Sequence, residues 1–234
     1  SYPGYNEILT GNADSTIKSN AKIYNKNVTV LEKLNQTNNY KNKIAAFASW
    51  DVFPYIINDK RSGIPVNAGY MEELNIKTPV VDYINKNQKR TPVIWENVRL
   101  DVYTHNLALE YIKKKRPKLV YIAYGETDDF AHGEKYDFYI NSLNYTDNMI
   151  AELWGYVQSN KFYKDNTYFI ITTDHGRGLM EDWSGHGTSQ ASWLAILGPN
   201  IEKTGLVEGE FFTNQIAETI MQISKKSKTK IPTD

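Results

Sequence analysis

Four short, almost uninterrupted apolar runs constrain the fold of this 234-residue chain more than any other feature. They are Ile44-Ala45-Ala46-Phe47-Ala48, Leu119-Val120-Tyr121-Ile122-Ala123-Tyr124, Tyr168-Phe169-Ile170-Ile171-Thr172 and Trp193-Leu194-Ala195-Ile196-Leu197. Each is too short for a buried helix and lacks polar alternation, so each reads as a strand covered on both faces. Helical patterns separate them. Val98, Val102, Leu107, Leu109 and Ile112 form one stripe, closed by Lys113-Lys114-Lys115-Arg116 and broken by Pro117. Ile140, Leu143, Met149, Ile150 and Leu153 form the next, over residues 136–159, and a last helix spans 213–223. Strands alternating with helices predict an α/β fold with a mostly parallel central sheet flanked by helices.

With 41% hydrophobic residues the chain can bury a sizeable core as a single domain over 1–234. Residues 51–96 differ in texture, being rich in Asn, Lys, Gly and Pro without a clean period, and are expected as an insertion or lid. Twenty-seven Lys and Arg balance 27 Asp and Glu. That balance argues against a broad electrostatic footprint for nucleic acid or a membrane surface. No apolar run approaches the roughly 20 residues of a membrane helix. The absence of cysteine excludes disulfides and thiolate metal sites. The start, Ser1-Tyr2-Pro3-Gly4-Tyr5-Asn6, carries neither a signal peptide nor an initiator methionine. The chain therefore reads as processed or cut, which leaves the compartment open, with a periplasmic or extracytoplasmic setting favoured.

Three of the four histidines fall in short acidic or glycine-rich clusters: Asp128-Asp129-Phe130-Ala131-His132, Thr173-Asp174-His175-Gly176 and Ser184-Gly185-His186-Gly187-Thr188. Imidazole and carboxylate together suit a borderline-soft divalent ion such as zinc. The first two clusters follow strands directly, with Gly125 expected to open a loop that holds the first. Ligands in open α/β sheets bind beyond the carboxyl ends of strands. The third cluster precedes the run 193–197 and joins a site only if its loop folds back. Each cluster also has a plain explanation. Asp128 and His132 are spaced as neighbours on a helix surface, Asp174 could cap a helix, and the Gly-His-Gly could be a flexible loop. Three clusters in this order outweigh those readings. His105, inside a helical pattern, is expected to be structural.

Asp128-x-x-x-His132, Thr172-Thr173-Asp174-His175-Gly176 and Gly185-His186-Gly187 resemble, in order and setting, the metal-binding motifs of the alkaline phosphatase superfamily. The resemblance is nearest to its nucleotide pyrophosphatase/phosphodiesterase branch. The opening Ser1-Tyr2-Pro3-Gly4-Tyr5-Asn6-Glu7-Ile8-Leu9-Thr10-Gly11 looks like the nucleophile segment of that family, and Asn214-Gln215-Ile216-Ala217-Glu218-Thr219 also matches. Sulfatases share a frame of Cys/Ser-x-Pro-x-Arg followed by Thr-Gly, but Tyr5 stands where their arginine belongs.

The resemblance implies an alkaline-phosphatase-like fold and hydrolysis of small-molecule phosphoric mono- or diesters through a phosphoserine at two divalent ions, Zn2+ or alternatively Mn2+. By the same match Ser1 is the nucleophile and Asn20 binds a phosphoryl oxygen. Asp128, His132 and His186 hold one ion, while Asp174 and His175 with Ser1 hold the other. A further Asp in such proteins sits on a strand before the nucleophile. A chain lacking that first strand is expected to bind at most one ion firmly and to turn over poorly. Alternatives are a cofactor-independent phosphosugar mutase, a sulfatase-like hydrolase and a catalytically silent metal-binding remnant.

Overall fold

A computed structural model describes residues 1–187, 190–202 and 205–226. Thr188 of the third histidine cluster lies outside the described residues. The elements run α1 (Tyr2–Thr10), α2 (Val30–Asn35), β1 (Ile44–Ala48), α3 (Phe53–Ile57), α4 (Asp59–Ser62), β2 (Val66–Ala68) and α5 (Pro79–Asn87). They continue with α6 (Asp101–Lys115), β3 (Leu119–Ala123), α7 (Glu126–His132), α8 (Tyr136–Ser159), β4 (Phe169–Thr172), β5 (Leu194–Leu197) and α9 (Gln215–Lys226). Two compact units result, Ser19–Met149 and a second that joins Ser1–Lys18 to the chain from Ile150 onward.

In the unit Ser19–Met149, β1 lies between β2 and β3 in a parallel sheet. Ile44 stands opposite Leu119, and Ala46 opposite both Tyr121 and Val66. The central position explains why all five residues of β1 are buried, while β3 at the side is mostly half-buried. Alternation along the strands aims Ala45, Phe47, Val120 and Ile122 at one face. There they meet Val81 and Ile84 of α5 and Leu107, Ala108 and Tyr111 of α6. Phe47 and Tyr111 pack with ring centroids 5.3 Å apart. Burying a side chain such as Leu107 contributes about 1.5–3 kcal/mol. On the other face Phe53 of α3 packs against Tyr121 at 5.7 Å.

The stretch 51–96, expected as an insertion or lid, is built into this layer. It supplies β2 and the buried residues Phe53, Ile56, Ile57, Ala68, Val81 and Ile84. Its Asn- and Gly-rich texture is that of tight connections: Asn58 and Gly63 both take left-handed backbone, with φ of 51° and 65°. Helix α6 starts at Asp101, so that Val98, the first residue of the expected stripe, lies outside it. The preceding residues are drawn to the end of β1, where Val98 bridges Trp50 and Arg99 N donates to Ser49 O at 3.0 Å. Its far end matches the sequence, with Arg116 in the left-handed region just before Pro117.

In the unit containing both chain ends, β4 and β5 pair with Phe169 opposite Leu197 and Thr172 opposite Leu194. The pairing is antiparallel, within a fold whose other strand pairs, β1 with β2 and with β3, are parallel as expected. Parallel neighbours need a crossover, usually a helix. Among its described residues, the connection 173–193 holds a short 3-10 turn, Met180–Asp182, and no longer helix, and so the chain turns back. Helix α1 packs beside α9. Its first turn also approaches the end of β4 so closely that a Cβ on Gly4 would stand 2.4 Å from the Asp174 carbonyl oxygen.

Candidate functional site

Pro3 in the first turn of α1 presets helical backbone, and Ser1 sits at its N-cap. The Ser1 hydroxyl does not cap the helix. It lies 3.1 Å from His175 Nε2, reaching a residue just beyond β4. His175 Nδ1 is 2.9 Å from the Gly176 carbonyl oxygen. A carbonyl only accepts, so Nδ1 carries the hydrogen and Nε2 presents its lone pair. The same Nε2 is 3.5 Å from Asp174 Oδ2. Two acceptor atoms this close repel unless a proton or a cation lies between them.

The folded-back 173–193 loop brings His186 against His175, with ring centroids 4.1 Å apart and planes at 40°. Antiparallel return of the chain into β5 is what makes this meeting possible. These groups border a cavity of about 280 Å³ lined by Ser1, Gly4, Glu7, Asp174, His175 and His186. Glu7 accepts from Thr213 Oγ1 at 2.9 Å on one side of it. Burial pushes the neighbouring Tyr2 phenol up to about 12, so it stays neutral across the physiological range. Glu7 and Thr213 carried no sequence signal, because their proximity to Ser1 depends on α1 and the residues before α9 packing together.

In the other unit, Asp128 and His132 lie one turn apart on α7, with Asp128 Oδ2 3.4 Å from His132 Nε2. The sequence placed this cluster on a loop; the structure makes it a short helix. Glu126, Asp128 and Asp129 in the first turn favour that outcome, since carboxylates complement the positive end of a helix. Residues at i and i+4 are neighbours on one helix face. Asn20 is exposed and lies outside the regular elements. His105 is buried as expected, with Nδ1 2.9 Å from the Tyr124 hydroxyl.

A buried polar network in this unit had no counterpart in the sequence reading. Asp101 is 1% exposed, and its Oδ1 accepts from Ser49 Oγ at 2.5 Å and Gly125 N at 2.8 Å. Desolvation by burial, followed by the nearby Glu126 carboxylate, raises the Asp101 pKa to about 7. Arg99, 0% exposed, donates to Thr104 Oγ1 at 2.8 Å and Asn67 Oδ1 at 2.6 Å. Burial lowers the Arg99 pKa to about 9, still cationic at neutral pH. The only available hint was the polar residue Ser49 ending an apolar strand.

Donor chemistry in both units suits a divalent ion. Each acidic–histidine pair offers an imidazole nitrogen and a carboxylate oxygen at close range, and Ser1 Oγ adds a second oxygen beside Asp174 and His175. Among the described residues no helix is long and apolar enough to cross a membrane. No curated protein matches the chain. The family model described as Sulfatase matches residues 67–221, and the chain belongs to that family, within the alkaline phosphatase-like superfamily of hydrolases. Members of the family bind divalent metals.

Proposed function

We propose that this sulfatase-family chain hydrolyses phosphoric esters through a phosphoserine at Ser1, in the manner of the nucleotide pyrophosphatase/phosphodiesterase branch. The observation that carries the reading is the approach of Ser1 Oγ to within 3.1 Å of a His175 nitrogen whose lone pair is oriented by the Gly176 carbonyl. Asp174 and His175 hold one divalent ion beside Ser1, and Asp128 and His132 are ligands of a second. Zn2+ suits this oxygen and nitrogen set, with Mn2+ the alternative. Bound metal supplies charge stabilisation and lowers the pKa of a coordinated hydroxyl.

The chain's own part follows from the residues around Ser1. Ser1 Oγ, its proton released to solvent, forms a bond to phosphorus as the bond to the ester's leaving oxygen breaks in line, and the departing alkoxide takes a proton from solvent. The phosphoserine is then cleaved by water, which returns the Ser1 hydroxyl and releases the phosphate. Gly4, having no side chain, lets α1 carry Ser1 right up to the Asp174–His175 turn. Exposed N–H groups at the start of α1 favour an anionic phosphoryl group.

Family membership favours a second reading, hydrolysis of sulfate monoesters. Tyr5 weighs against it, because it replaces the arginine of the sulfatase frame. Rates with p-nitrophenyl phosphate, bis-p-nitrophenyl phosphate and p-nitrophenyl sulfate, each with Zn2+ or Mn2+, separate the two. The phosphorus esters are expected to turn over and the sulfate ester to lag by orders of magnitude. A preference for the sulfate ester would overturn the phosphoric-ester reading.

A further inference from the structure

Helix α7 has only seven residues, fewer than two turns, and its N-cap Gly125 offers no side chain. A helix this short is not stable on its own hydrogen bonds. Helix α6 shows a similar gap, because its N-cap Leu100 makes no side-chain cap. Each gap is filled by the first residue of the other helix. Asp101 accepts from the Gly125 and Glu126 backbone N–H groups, at 2.8 Å through Oδ1 and 3.0 Å through Oδ2. Glu126 Oε1 in turn accepts from Asp101 N at 2.7 Å. This is a capping box made between two helices rather than within one.

The clasp is anchored to the strand ends. Ser49, just past β1, donates to Asp101 Oδ1 and meets Thr104 Oγ1 at 2.7 Å. Thr104 takes the Arg99 Nε hydrogen, and Arg99 binds Asn67 of β2 through Nη1. Gly125 follows β3, packed so tightly that a Cβ there would stand 2.8 Å from Val98 Cγ1. The carboxyl ends of all three parallel strands thus converge on the start of α7. Asp128 and His132 lie two and six residues beyond Glu126, so the start of α7 determines the face they occupy. A slip of one residue would rotate both by about 100°.

We propose that the Asp101–Glu126 clasp is a positioning device for the Asp128–His132 pair, and that losing it weakens divalent-cation binding. The proposal rests on the reading of Asp128 and His132 as metal ligands. Residues that orient metal ligands without touching the ion typically account for about 10–100-fold in affinity.

The test compares Glu126→Gln with Glu126→Asp in the full chain. Gln keeps an acceptor oxygen at the right reach without charge; Asp keeps the charge but is one methylene too short. Zn2+ affinity is measured by competition with a chromophoric chelator, alongside the Tm of the metal-free proteins. Positioning predicts wild-type affinity for Glu126→Gln and about 10–100-fold weaker binding for Glu126→Asp, restored by no change in buffer charge screening. The reverse order, Gln weak and Asp tight, would show that Glu126 acts through its charge and would overturn the proposal. Equal affinity in wild type and both variants would also overturn it. Asp128→Asn is the control: if it too binds like wild type, the ligand reading itself fails, whereas loss there with no loss in Glu126→Asp sinks only the positioning claim.

Discussion

Ser1 Oγ and His175 Nε2 lie 3.1 Å apart although 174 positions separate them in the chain. Helix α1 and the end of β4 are brought together by packing that leaves no room for a side chain at position 4. The hydroxyl is thereby set beside the Asp174–His175 pair.

Replacing Ser1 by Ala is expected to remove turnover, by on the order of 10³-fold or more, as when any other covalent nucleophile is lost. Metal content should be largely retained, because the carboxylates and imidazoles supply most of the binding. Steady-state rates and atomic-absorption metal analysis on the same preparation check both halves. A near wild-type rate would mean that water attacks the ester directly.

Gly4→Ala tests the approach of α1 to Asp174. Alanine is the better helix former by about 1 kcal/mol, yet its methyl would meet a backbone carbonyl at 2.4 Å. That carbonyl cannot swing aside like a side-chain tip. Overpacking of this kind costs about 1–3 kcal/mol, so the clash wins. The variant is expected to melt lower and to lose more activity than stability, since Asp174 must shift. Thermal melts and kcat measured together show whether the two losses separate.

Asp101 gives the fold a pH dependence whose sign can be worked out. Its pKa rises from 3.8 to about 7 on folding, chiefly through desolvation. A raised pKa means that the folded state prefers the protonated carboxyl. Its contribution is therefore complete below pH about 4 and lost as pH rises through about 7, by up to about 4 kcal/mol. Asp101→Asn removes this dependence. Urea melts of metal-free protein should show wild type at its greatest advantage over the variant near pH 5, with the gap narrowing by pH 8. A gap that widens with pH would contradict the assignment.

The apolar runs made the strands legible: Ile44–Ala48 is β1 to the residue, and the period over 136–159 is α8. The parallel direction of β1 and β3 was legible from strands alternating with helices, whereas the antiparallel β5 was not, because apolar composition is the same whichever way a strand runs. The antiparallel β5 follows from a connection with no crossover helix among its described residues, a property of the 173–193 loop. The elements within residues 51–96 were not legible because their apolar residues are spaced among turns, so that buried Phe53, Ile56 and Val81 form no single periodic stripe. At the candidate site, the proximity of Ser1, Asp174, His175 and His186 follows the grouping that type and spacing suggested, while Glu7, Thr213 and the Asp101–Glu126 clasp were not legible. Those depend on contacts between segments distant in sequence, which composition and periodicity do not encode.

Treatment with EDTA is expected to abolish ester hydrolysis, and added Zn2+ or Mn2+ to restore it, because Ser1 is a weak nucleophile without a coordinated cation. Activity that survives full chelation, confirmed by metal analysis, would remove the ions from the account.

The most direct test is to quench the protein with acid during turnover of p-nitrophenyl phosphate and to map any added mass by peptide mass spectrometry. The account predicts one phosphoryl group on the peptide that contains Ser1, absent from Ser1→Ala. Rapid ester turnover with Ser1 never phosphorylated at any quench time would contradict it.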